Sequence, residues 1–160
     1  MYDAIDVARY VINISHEFQY SISNLKLQKL LYFIQAVFLV ESEGKSACFK
    51  DEIEAWDFGP VVPVVYREFK FFGGTNIPKI EVYRDFSRGI WNIQTKKFNE
   101  KIIFEEDRDN IKKIVKHFGR LNASKLVDIT HHQLPWVTAY KSKNKIISKK
   151  CIYDYFKEEK

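Results

Sequence analysis

The stretch from Leu25 to about Glu43 constrains this chain most. It reads as one long helix that is apolar nearly all the way round. Leu27, Leu30, Leu31, Ile34, Val37 and Phe38 fill one broad face, and Leu25, Phe33, Ala36, Leu39 and Val40 take much of the rest. A helix of this kind must be covered on every side, so it belongs at the centre of a fold. Lys26, Gln28, Lys29 and Gln35 interrupt it, which leaves it too short and too polar to span a bilayer. Ser23 or Asn24 can cap its start and Gly44 can stop it.

Other helices must supply the cover. Asp3 to about Phe18 carries Ile5, Ala8, Val11 and Ile12 at helical spacing. Gly59-Pro60-Val61-Val62-Pro63 reads as a hard break and a helix start, with Val62, Val65, Tyr66 and Phe69 repeating until Gly73-Gly74. Helix returns from about Glu106 through Ile111, Ile114, Val115 and Phe118. Asn122 or Ser124 caps a short helix, Pro135-Trp136 opens another, and Ser148 caps the last. Residues 75–105 are the least regular. Ile80–Tyr83 and Ile90–Ile93 alternate as two short strands of an antiparallel pair or flap. The 160 residues suit one domain, 1–160, burying roughly 70% of its surface. The expected class is mainly α, a compact single-domain helical fold with a minor short antiparallel β element.

Several kinds of chemistry find no pattern here. There is no phosphate-binding glycine loop and no GxSxG. His16, His117, His131 and His132 form no zinc spacing, and adjacent helical histidines diverge by about 100°. No metal or cofactor is expected. Cys48 and Cys151 form no CxxC pair, and no secretory leader opens the chain, so a reduced, cytoplasmic protein is expected. The formal net charge is +5, unevenly spread: residues 41–60 sum to −4 and the last twenty to +4. Each block could steer a partner, but neither demands nucleic acid.

Aromatic residues make up 16% of the chain. Trp56 and Trp136 read equally as core or interface, since an indole N–H favours a half-buried rim. Gln28 and Lys29 mark either the wet edge of the central helix or the polar rim of a binding groove. The best catalytic set available is His131, His132, Gln28 and Asp57, which would have to converge in one concave site to matter.

Three runs have a familiar look. Ser23-Asn24-Leu25-Lys26-Leu27-Gln28-Lys29-Leu30-Leu31-Tyr32-Phe33 resembles the opening signature of the Panacea domain family (SocA-like, phage-associated GepA-type). Glu52 to Phe69, around Trp56-Asp57-Phe58-Gly59-Pro60, looks like its second signature. Thr130-His131-His132-Gln133, Pro135-Trp136 and Ala139-Tyr140 are similar to its third. Ile147-Ser148 running into Ile152, Tyr155 and Phe156 also resembles the family's usual ending, so the resemblance covers nearly the whole chain, except residues 75–105, where partner choice is expected to reside. It implies a mainly helical fold with a few short strands and an antitoxin role in bacterial or phage toxin–antitoxin pairs. Such a protein neutralises a cytosolic toxin by direct binding and is not an enzyme; no catalytic residues carry over. The first helix opens almost at Met1, so no preceding DNA-binding module is expected. The expected partner is a cognate protein toxin. Alternatives are delivery of that toxin to a protease and nucleic-acid binding through the basic C-terminal segment, which is not favoured. A homodimer stays open and a membrane partner is not expected. Expected partner-binding residues are Trp56, Tyr66, Arg67 and Trp136 as anchors, with Gln28, Lys29 and Tyr32 at the rim.

Overall fold

Helix α2, Asn24–Glu41, runs through the middle of the molecule in the computed structural model, which describes residues 1–159. Ser23 caps it as expected, its hydroxyl accepting the Lys26 N–H at 3.3 Å. Around it pack α1 (Ala4–Glu17), α3 (Pro63–Phe69), α4 (Glu105–Phe118), α5 (Ala123–His131) and α7 (Lys149–Phe156). One more helix, α6 (Leu134–Lys141), lies between α5 and α7. The fold is mainly α with a few short antiparallel strands. Both later caps are side chains named from sequence: Asn122 accepts the Lys125 N–H at 2.8 Å and Ser148 the Cys151 N–H at 3.1 Å. Among the described residues, no helix is long and apolar enough to cross a membrane.

A small sheet closes one side of α2. Its order is β2–β1–β5, from β1 (Ile53–Trp56), β2 (Gly59–Val61) and β5 (Ile146–Ile147), all antiparallel neighbours. Gly59–Val61 is therefore a strand before the helix at Pro63, where a plain break was expected. Pro60 fits there because β2 is an edge strand. Its carbonyl points away from β1 toward α2, so the side without an N–H needs no ladder partner.

A second antiparallel pair, β3 (Val82–Asp85) and β4 (Gln94–Lys97), stands on the α1 side. Both strands lie a few residues later than the alternation predicted. Ile80 is instead held by Asn13, which donates to its carbonyl at 2.9 Å and accepts its N–H at 2.7 Å. Most hairpin side chains are exposed, so no burial pattern fixes the register in the sequence.

Leu30 and Leu31 are fully buried on α2. Leu30→Ala should lower the unfolding free energy by about 2–5 kcal/mol, read by urea or thermal unfolding. A loss below about 1 kcal/mol would mean that α2 is not the structural centre.

Candidate functional site

Where β1 turns into β2, Asp57 and Phe58 form the loop, and Phe58 is 66% exposed. Beside this turn lies a cleft of about 610 Å³. Trp56, Phe58 and Tyr66 give it aromatic walls, Leu25 and Val61 line it, and Gln28 lies at its base. Lys70 and Lys145 bring cations to it, and Asp57 the carboxylate.

Trp56 is half-buried and held from three sides. Its indole N–H donates to Glu54 Oε2 at 2.7 Å. Its ring meets Tyr66 edge-on, centroids 4.9 Å apart at 66°. Its carbonyl accepts the Trp136 indole N–H at 2.9 Å. Trp136 in turn sits in a stack, with His131 at 4.2 Å and Tyr140 at 4.6 Å. The Tyr140 hydroxyl donates to Asp57 Oδ1 at 2.8 Å, and Lys145 Nζ lies 4.1 Å from the Tyr140 ring. The third signature thus folds into an aromatic brace behind the turn that carries Trp56 and Phe58. An edge-on or offset aromatic pair adds about 0.5–1.5 kcal/mol beyond its buried area, so the turn is held rigid.

Gln28, Lys29 and Tyr32 do not form an exposed rim, and Gln28 and Lys29 are no wet edge: all three are buried. For Gln28 and Lys29 the physical reason is the unpaired edge of β2, whose polar backbone groups need partners inside the molecule. Gln28 Oε1 accepts the Val62 N–H at 2.9 Å, and Lys29 Nζ donates to the Pro60 carbonyl at 2.9 Å. Gln28 Nε2 also donates to Asn24 Oδ1, and Asn24 donates to the Tyr66 carbonyl at 3.0 Å. The opening signature therefore pins the strand, the turn and α3 to the central helix. Burial brings the Lys29 ammonium down to about 7. Tyr32 points the other way, edge-on to Phe156 of α7, and burial raises its phenol well above its ordinary value.

Arg67 is exposed on α3, adjacent in sequence to Tyr66, and among the described residues no carboxylate lies within 4.0 Å of it. Of the seven expected contact residues, Trp56 and Tyr66 form the cleft wall, Gln28 its base, Trp136 braces it, and Arg67 is exposed on α3 outside the cleft lining. Phe58, Lys70 and Lys145 line the cleft but are not among the expected contact residues. Phe58 had one available signal, a large apolar residue at a turn preceding glycine.

The possible catalytic set does not come together. Gln28 and Asp57 line the cleft, but His131 is stacked on Trp136 and His132 is exposed, its ring nitrogen at 2.7 Å from the Asp128 carbonyl. Among the described residues, no group of three or more His, Cys, Asp or Glu could hold a metal ion.

Residues 27–137 match the family described as Antitoxin SocA-like, Panacea domain. The chain is also similar to the protein named Antitoxin SocA of Caulobacter vibrioides (strain NA1000 / CB15N), with 36% identity over 129 residues. That alignment covers 81% of this chain but 65% of the relative, so the chain spans less than two thirds of that protein. No solved structure matches. The matched stretch contains most of α2, the β1–β2 turn, the cleft residues Gln28, Trp56, Phe58 and Tyr66, and Trp136 of the brace, and the chain belongs to the SocA-like Panacea domain family.

Proposed function

We propose that this protein is an antitoxin that binds a protein toxin directly in the cytosol and blocks it by covering its surface, without catalysis. The observation that carries this reading is the exposed aromatic face on a braced turn. Phe58 projects, Tyr66 is 37% exposed, and Trp56 lies between them on a backbone fixed from behind by Trp136. Rigid aromatic and Arg anchors beside a pocket are what specific protein interfaces use, because they bury area with little loss of rotamer freedom. Arg67, the next residue after Tyr66 on α3, is exposed and adds an uncompensated cation. The family's antitoxin relative supports the same reading.

The test is co-expression with the protein encoded by the adjacent reading frame. The wild type should restore growth. Phe58→Ser combined with Arg67→Glu alters two exposed side chains, so circular dichroism should be unchanged. The double variant should lose rescue and bind about thirtyfold more weakly, equivalent to about 2 kcal/mol. Full rescue by the folded double variant would remove this face as the contact surface. Rescue lost through His131→Ala, with fold and toxin binding intact, would instead restore an enzymatic reading.

A further inference from the structure

The connection between β3 and β4 exposes four large apolar side chains within eight residues. Trp91 is 95% exposed, Ile90 68%, Phe86 52% and Ile93 42%, all in the connection between the strands. An apolar cluster of this kind on a soluble surface marks a contact site.

Two further observations define what it contacts. The first is charge. Asp85 is neutralised by Lys96, whereas Arg84, Arg88 and Lys97 have no carboxylate within 4.0 Å among the described residues. The second is a free backbone edge. The Phe98 N–H donates to the Glu81 carbonyl at 2.8 Å, which makes 83/96 and 85/94 the hydrogen-bonded pairs of this register. The N–H and C=O groups of Thr95 and Lys97 therefore point out of the hairpin. Among the described residues, no backbone group bonds to them there.

We propose that β4 docks an acidic edge strand of the protein partner, which adds to the hairpin alongside Thr95 and Lys97 while Trp91 enters an apolar pocket. This rests on the antitoxin reading above and assigns the hairpin as the element that selects the toxin. Main-chain pairing gives such a contact affinity, and alternate side chains give it specificity. Arg84, Arg88 and Lys97 favour carboxylates on the added strand. Other occupants fit less well. A lipid bilayer would leave the outward N–H and C=O groups of β4 without partners. A second copy would offer its acidic segment near residues 51–57, but Asp51, Glu54 and Asp57 are already engaged by the Ala4 N–H, Trp56 and Tyr140, which leaves Glu52 as the one carboxylate of that segment without a partner among the described residues.

The test measures affinity between the full chain and the protein encoded by the adjacent reading frame. Thr95→Pro removes an N–H that points away from β3, so the hairpin pairing survives while strand addition is blocked. Trp91→Ser removes the apolar anchor without touching any backbone bond. Each should weaken binding at least thirtyfold, and Arg88→Glu with Lys97→Glu should also flatten the salt dependence. Hydrogen exchange of the wild-type complex should show new protection at Thr95 and Lys97. That reading does not depend on how the variants fold. Binding of the wild type with all variants inside threefold, or without that protection, would overturn the hairpin proposal alone. No binding by the wild type would overturn the antitoxin reading and this proposal with it. Two other results would overturn it in favour of another occupant: Trp91-dependent sedimentation with phosphatidylserine vesicles, or Trp91-dependent self-association of the purified chain.

Discussion

Gly59→Val is expected to lower the unfolding free energy by about 3–5 kcal/mol, with the loss read from urea unfolding followed by tryptophan fluorescence. Two independent penalties meet at this position. The backbone at Gly59 has φ +103°, which side chains rarely adopt and which a β-branched residue resists most. Such strain costs about 1–3 kcal/mol. A Cβ would also lie 2.7 Å from Lys29 Cε and 2.8 Å from Thr130 Oγ1. Neither neighbour can step aside freely. Lys29 is buried with its Nζ tied to Pro60, and Thr130 is buried with its hydroxyl bonded to the Val127 carbonyl at 3.0 Å. Overpacking of this sort costs about a further 1–3 kcal/mol. Because the Trp56 carbonyl anchors Trp136, fluorescence of the folded variant should shift as well. A loss under about 1 kcal/mol with unchanged fluorescence would mean that the turn relaxes without straining the brace.

Gly59 also shows how far the sequence was legible. Its demand for an unusual backbone could be read from Gly-Pro beside a run of β-branched residues. The atoms that enforce it could not, because Lys29 and Thr130 lie far away along the chain. Local signals served well wherever neighbours in sequence do the work. The Ser23, Asn122 and Ser148 caps each satisfy an amide three residues on, and the all-round apolar pattern of α2 forces it inward. Strands β2 and β5 were missed because neither is longer than three residues, too short for alternation to register. Gln28 and Lys29 were misplaced for a related reason. A polar residue on an apolar helix ordinarily faces water, and only the tertiary fold reveals that a bare strand edge lies opposite. The site was legible as a set of aromatics, but its geometry was not: Trp136 supports the cleft, whereas Phe58 presents it.

Between pH 7 and pH 9 the protein should gain about 2 kcal/mol of stability from Lys29, and the Lys29→Met variant should lack this gain. Lys29 is fully buried and donates its one hydrogen bond to the Pro60 carbonyl. No carboxylate lies within 4.0 Å of it among the described residues, so burial alone brings the ammonium from its ordinary 10.5 down to about 7. The sign follows from proton counting. Above pH 7 the folded side chain is largely neutral while the unfolded one keeps its proton up to its ordinary value. The unfolded state then binds more protons, and stability rises with pH by up to about 1.4 kcal/mol per unit. Below pH 7 both states are protonated and the contribution is flat. Above pH 9 the buried Cys48 thiol, raised by desolvation, begins to oppose the trend, which sets the upper limit of the window. Lys29→Met also leaves the Pro60 carbonyl without its donor, so its absolute stability is a poor guide. The difference in slope between wild type and variant isolates the lysine. Urea midpoints at pH 7, 8 and 9 would supply it. Parallel slopes would mean that Lys29 reaches water in solution and that α2 does not seal the β2 edge.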